Sequence, residues 1–372
     1  MRAIHRKMDS HTPGMQDRSI FLEDRPMTTV RRCSLNQALM NKRVIGDREV
    51  GAIGLGCMGM SFAYGQGDDV ESQKVLHRAL ELGVDHWDTA DMYGQGKNEL
   101  LLASVLKDVR DQVFLATKFG NVFDRTLTSH QDQVAANVPV IVDGTPGYAR
   151  KSLENSLKRL GVDHIDLYYL HRIDPLIPVE ETVGAMAEFV KEGKVRALGI
   201  SEASANTIRR AHQTHPIAAV QNELSLWTRD FETSVIPVCE ELGIAFVAYS
   251  PLGRGFLTGE IKSFDDLPAD DWRRLNPRFQ PDNFAKNLQI VDRVKEIADK
   301  HGAKPGQVAL AWAMSLSERI VPIPGTKRVR YLEENAAADS LKLTAEELSE
   351  LSSIVPPEGD RYPTGTMRFV NA

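Results

Sequence analysis

Four side chains suited to proton chemistry follow short apolar runs in the sequence. Asp88 follows 84–87, Tyr93 lies a few residues further on, Lys118 follows 113–117, and His171 follows 165–170. A tyrosine is a poor acid at neutral pH, with an ordinary pKa of about 10. It becomes a useful proton donor when a nearby cation stabilises the phenolate. Lys118 would supply that cation, Asp88 would hold the ammonium charged and oriented, and His171 would orient a carbonyl oxygen. Taken singly, a lysine after an apolar run is more often a solvated charge, and a histidine more often a structural one. The four act together only if a fold brings their strand ends to one place.

The elements that would do so are readable from periodicity. Apolar runs at 52–55, 84–87, 113–117, 165–170, 195–200, 217–220, 244–248 and 320–323 read as strands. Amphipathic stretches at 70–82, 98–107, 146–160, 178–191, 205–212, 231–242, 288–300, 305–315 and 329–337 read as helices, several ending at a glycine. Apolar strands alternating with helices indicate a parallel sheet covered by helices. Eight such units predict an α/β (β/α)8 TIM barrel, with active-site residues at the C-terminal ends of the strands. Two long connections, 119–145 and 250–284, follow strands and are expected as pocket wall and cofactor flap. Residues 1–42 lack periodicity and are expected as a disordered extension, 43–355 as the barrel, and 356–372 as a C-terminal tail.

Composition narrows the classes. The 372 residues carry a formal charge of −6, which argues against a nucleic-acid partner. Three cysteines, Cys33, Cys57 and Cys239, form no metal-ligand spacing and no disulfide framework. No apolar run is long enough to span a bilayer, so a cytoplasmic protein without a membrane partner is expected. Gly54-Leu55-Gly56-Cys57-Met58-Gly59 matches a dinucleotide-binding glycine pattern, but no helix opens on its third glycine and no acidic residue ends a second strand at the required distance. These glycines are read instead as letting backbone approach a ligand at the barrel mouth.

Leu55 to Ser61, Trp87 to Gly94, Leu160 to Tyr168, Glu192 to Glu202, Ala248 to Gly255 and Pro322 to Arg328 together resemble the aldo-keto reductase superfamily, in order and over roughly 43–354. The resemblance implies a catalytic tetrad of Asp88, Tyr93, Lys118 and His171, and reduction of aldehyde or ketone carbonyls with NADP(H) as cofactor. It places Ser201, Gln221 and Tyr249 at the nicotinamide, and Ser250, Leu252, Gly253 and Arg254 over the pyrophosphate, with Met58 and Pro251 also among the cofactor-binding residues. Gly325, Thr326, Lys327 and Arg328 would meet the ribose phosphate, with Glu334 and Asn335 near the adenine. Basic residues at a helix start suit a 2′-phosphate, which favours NADP(H) over NAD(H). Glu202 stands where many relatives have Asn, and Leu224 where an aromatic is frequent.

The alternative is a redox-silent or weakly active reductase-like regulatory or binding subunit. A metal-dependent barrel enzyme is disfavoured because His171 and Asp174 have no third ligand in sequence, so no metal is expected. The partner is a small-molecule carbonyl compound, and homo-oligomerisation is left open. Trp87 is assigned to packing and His86 to a hydrogen-bonded position inside the barrel. Asp91 has no assigned role. Met60, Tyr64, Phe119 and Trp227 are candidates for an apolar pocket.

Overall fold

A computed structural model describes residues 40–372 except Gln66; the extension expected over 1–42 therefore lies, through residue 39, outside the described residues. The described chain opens with an antiparallel hairpin, β1 (Lys42–Ile45) and β2 (Arg48–Gly51). Then come β3 (Leu55–Gly56), α1 (Asp69–Glu81), β4 (His86–Asp88), α2 (Lys97–Val109) and β5 (Phe114–Phe119). They are followed by α3 (Gln131–Ala135), α4 (Pro146–Leu160), β6 (Ile165–Leu170), α5 (Val179–Lys191), β7 (Val195–Ser201) and α6 (Ala205–Thr214). The remainder is β8 (Ile217–Glu223), α7 (Ile236–Leu242), β9 (Ala245–Tyr249), α8 (Pro281–His301), α9 (Pro305–Ser315), β10 (Ile320–Pro322), α10 (Val329–Ala336), α11 (Ala345–Ser352) and α12 (Thr364–Met367).

Strands β3 to β10 pair in parallel and in sequence order. The ring closes where Gly54 N–H donates to Pro322 O (2.9 Å) and Gly56 N–H to Pro324 O (3.3 Å). This is the expected (β/α)8 barrel. Gly54 and Gly56 serve the closure: a Cβ on Gly56 would lie 2.8 Å from Ile323 O, and one on Gly54 2.9 Å from Ile323 Cγ2. The close approach that Gly54 and Gly56 allow is strand to strand, and Gly56 and Gly59 also line the cavity at the barrel mouth.

Strand alternation sorts the core into two layers. Phe114, Ala116, Leu167, Tyr169, Ala219, Val247 and Val321 fill the barrel, and Ile45 and Val50 of the hairpin plug its floor. Leu115, Phe119, Tyr168 and Trp87 point outward into the shell shared with the helices. The hairpin was not foreseen. Its strands are too short to stand out from the polar sequence before them.

Helix starts follow their caps. Asp68 accepts from Val70 and Glu71 N–H to open α1, and Thr145 with Pro146 opens α4, which ends on the left-handed Gly161. The two long connections are partly ordered. The first contains α3 and the Asn121–Val142 bridge. The second contains several 3-10 turns, and α8 begins at Pro281, ahead of the expected 288.

Candidate active site

Register brings the tetrad together. Asp88 pairs with Ala116 across β4 and β5, and Lys118 pairs with Tyr169 across β5 and β6. Period-two alternation then points Asp88 and Lys118 into the barrel, with His171 two residues beyond Tyr169 on the same face. Lys118 Nζ donates to an Asp88 carboxylate oxygen and to Thr89 O (2.8 Å). Gln221 on the far strand β8 donates to the other Asp88 oxygen (2.8 Å). Nζ also lies 5.3 Å from the centre of the Tyr93 ring, and the Tyr93 and His171 rings meet edge to face at 5.9 Å. Asp88, Tyr93 and His171 line one cavity, and Lys118, fully buried, lies just beneath.

The electrostatics differ from the sequence expectation in one respect. Tyr93 is held above its ordinary pKa, first by burial and then by Asp88. Among the charges around it, Arg172 opposes the rise. Burial also pulls Lys118 down, against the raising effect of Asp88. His171 is pushed well below the usual histidine value by burial and then by Arg172 and Lys118, so its imidazole is neutral. The arrangement presents a protonated phenol beside a neutral imidazole, over a buried ion pair.

The cavity measures about 1250 Å³ and runs from the tetrad to the start of α10. Of the residues expected around a cofactor, Met58, Ser201, Gln221, Tyr249, Ser250, Pro251, Leu252, Arg254, Gly325, Thr326, Lys327, Arg328, Glu334 and Asn335 all line it. Gly253 does not: its φ is positive, and a Cβ there would lie 2.9 Å from Trp227 Nε1. It lets the chain turn against that ring. Arg254 lines the cavity, but Glu223 holds its guanidinium (2.8 Å), so its charge is committed.

The lining fits an extended nicotinamide dinucleotide. Gln221 gives its N–H to Asp88 and Ser201 its O–H to Gln221 O (2.7 Å), leaving acceptor oxygens for a carboxamide. Asn335 Nδ2 is buried with no partner among the described residues. Arg328 is exposed at the N-terminus of α10 and in no ion pair among the described residues, which suits a phosphate. The 250–284 connection supplies much of the covering wall: Arg273 lies 5.2 Å over the Tyr64 ring and Trp272 meets it edge-on at 6.0 Å. The 119–145 connection contributes only Asn121.

Sequence reading missed the C-terminal segment. Arg361 and Tyr362 reach the barrel mouth from a stretch without periodicity. Arg361 Nη2 pairs with Glu202 Oε2 (2.6 Å), and Tyr249 Oη donates to Glu202 Oε1 (2.8 Å) and lies 3.1 Å from Tyr362 Oη. Ser204 N–H donates to Ala372 O and Ala372 N–H to Glu202 O. Glu202 is therefore the anchor of the tail. Glu202, Ser250 and Arg254 are non-glycine residues at φ of 56°, 48° and 58°, a concentration of backbone strain at this rim. Phe62, stacked at 6.3 Å on Tyr93, was also missed.

Trp87 is core, with Nε1 donating to Val84 O (3.2 Å). His86 lies inside the barrel, but neither ring nitrogen has a hydrogen-bond partner among the described residues, contrary to expectation. Asp91 is buried beside Glu99 and is pushed well up, mainly by burial. Phe119 stacks on Tyr168, Trp227 on Phe256, and Met60 is core; of the four pocket candidates only Tyr64 lines the cavity. Asp174 does meet further metal-type side chains, His130 and Asp143, but not His171. Their oxygens are taken by loop donors, among them Gly144 N–H and Thr128 Oγ1, so they knit the 119–145 connection.

Residues 52–356 match the model of the Aldo/keto reductase family. The chain is 44% identical over 328 residues to probable aldo-keto reductase 1 of Glycine max, covering 86% of this chain and 91% of that one. It is also 44% identical over 331 residues to aldo-keto reductase yakc, NADP(+), of Schizosaccharomyces pombe, covering 87% and 94%. Among solved structures, the glycerol dehydrogenase AKR11B4 of Gluconobacter oxydans superposes with a TM-score of 0.74 at 27% identity, covering 89% of this chain and 96% of that one. The aldo-keto reductase AKR11C1 of Bacillus halodurans superposes at 0.68 and 26%, covering 88% and 99%. No described helix is long and apolar enough to cross a membrane. With the barrel and these matches in agreement, the chain belongs to the aldo/keto reductase family of oxidoreductases.

Proposed function

We propose that this protein reduces the carbonyl group of small aldehydes or ketones to the alcohol, using NADPH. The observation that carries the reading is the single cavity joining Tyr93 and His171, over the Asp88–Lys118 pair, to the basic start of α10. The name of the fission-yeast relative supports NADP(H) as the cofactor.

When bound, the nicotinamide supplies the hydride that reaches the carbonyl carbon. Tyr93 gives its phenolic proton to the carbonyl oxygen as charge develops there, and solvent later reprotonates the phenolate. Because the buried phenol is a weak acid before reaction, transfer follows the growing charge and does not precede it. Lys118 and Arg172 stabilise the phenolate that forms, and Asp88 fixes Lys118 with help from Gln221. Neutral His171 donates to and orients the same oxygen without competing for the proton. Exclusion of water by Phe62 and the tail strengthens these interactions.

Replacing Tyr93 by Phe removes the acid and leaves the ring. Carbonyl-dependent NADPH oxidation at saturating cofactor is expected to fall about 100-fold or more, with NADPH binding retained. Near-normal turnover in Tyr93→Phe would remove Tyr93 from the reaction.

A further inference from the structure

The charges around the tetrad can be balanced side chain by side chain. Lys118 is matched by Asp88, Arg254 by Glu223 and Arg361 by Glu202. Glu202 has both oxygens filled, by Arg361, Tyr249 Oη and Glu223 N–H. Two arginines there have no such partner: Arg278, buried away from the cavity on Gly359 O, Trp227 O and Thr228 Oγ1, and Arg172. Arg172 lines the cavity beside His171, is only half-buried, and forms no ion pair among the described residues.

Its hydrogen bonds show which edge is free. Nη1 donates to His171 O (2.7 Å) and to Ser201 Oγ (3.3 Å). Nε and Nη2 have no protein partner among the described residues. Those two nitrogens form one side of the guanidinium plane and carry parallel N–H bonds, the geometry that receives a carboxylate through two hydrogen bonds. Nη1 is the anchor that keeps this edge in place. Because Arg172 follows His171 in the chain, an anion on it lies close to an oxygen held between Tyr93 and His171.

We propose that Arg172 receives a carboxylate of the substrate, so that the preferred substrates are oxo acids whose carboxylate lies a short chain away from the carbonyl to be reduced. The surrounding surface agrees. Phe62, Met92 and Tyr362 line the cavity near the tetrad and offer apolar contact to the intervening carbons. Glu202 and the surrounding phenols hold Arg172 charged from a distance, so the edge facing the cavity offers an anionic ligand a fixed positive charge. The inference rests on the reductase reading above and names its substrate class.

The test compares unbranched ω-oxo acids of three to six carbons with the neutral aldehydes of the same length. The readout is the ratio of kcat/KM, acid over aldehyde, followed as NADPH oxidation. In the wild type the ratio is expected to exceed one and to peak at one chain length. In Arg172→Met the ratio at that length should fall about 10- to 100-fold, the scale of hydrogen bonds to a charged group, mostly through KM. Arg172→Lys, which keeps the charge but not the fork, should recover part of it. The free edge could instead serve the carboxamide of the cofactor. In that case Arg172→Met would weaken NADPH binding, measured by protein fluorescence, and lower both kcat/KM values together with the ratio unmoved. That result would overturn the inference, as would a wild-type ratio near one at every length while the aldehydes are reduced. A wild type that oxidises NADPH with none of these compounds would count against the reductase reading itself.

Discussion

Arg361→Met tests whether the C-terminal segment is a working wall of the site or a passive cover. The Arg361 side chain is 1% exposed and that of Glu202 0%. Two guanidinium nitrogens face the Glu202 oxygens at 2.6 and 3.4 Å, and Nε lies 3.8 Å from Glu223. Methionine fills much of the volume but leaves Glu202 charged and buried with only two neutral donors, the Tyr249 hydroxyl and Glu223 N–H. Removing one partner of such a pair costs about 3–5 kcal/mol. With an unfolding entropy of about 2.1 cal/mol/K per residue over the chain, that corresponds to a fall in Tm of about 4–6 °C. The main-chain bonds of Arg361 O with Arg254 and Asn276 survive the substitution, so the segment should stay in place. In the double variant Glu202→Gln, Arg361→Met the stranded charge is gone and Tyr249 keeps its acceptor. It should therefore recover most of the lost stability, to within about 1 kcal/mol of wild type. The assay is thermal unfolding at pH 7 by calorimetry and near-UV circular dichroism. A single variant within about 1 °C of wild type, or a double variant no more stable than the single, would refute the reasoning.

Three further outcomes are expected. Lys118→Met strands Asp88 in the barrel and should both abolish most turnover and cost about 3–5 kcal/mol; adding Asp88→Asn should restore stability, read by chemical denaturation, but not NADPH oxidation. Stability should fall as pH drops below the unfolded histidine value of 6.5, because His171 and His86, both held lower in the fold, take up protons only on unfolding. Each such group contributes a slope of up to about 1.4 kcal/mol per pH unit, so the stability profile of His86→Asn between pH 6.5 and 5 should be flatter by that amount; an unchanged slope would count against it. Arg328→Ala should reduce the preference for NADPH over NADH about 10-fold or more, with NADH binding little altered, as fluorescence titration with each cofactor would show.

The barrel was legible in the sequence because buried parallel strands are apolar throughout and the helices between them are amphipathic. That alternation survives any detail of packing. The tetrad was legible for a related reason: Asp88, Lys118 and His171 are polar residues at or just past the ends of apolar runs, the place where a barrel exposes them. Tertiary structure decided what chain order cannot carry. Gln221 meets Asp88 across 133 positions. Gly54 and Gly56 serve closure because β3 must approach β10, a pairing of the first and last barrel strands. Gly253 turns towards Trp227 and Arg254 is held by Glu223, although both belong to a motif that reads as cofactor contact. The Arg361–Glu202 pair was invisible because a tail residue and a strand-end residue share no periodicity. Their charges declare a partner only when both are buried and must be compensated. The sequence alone placed Asp88, Lys118 and His171 at strand ends; only the fold decided that Arg361, Tyr362 and Phe62 join them, how the charges are compensated, and that Arg172 turns a free edge to the cavity.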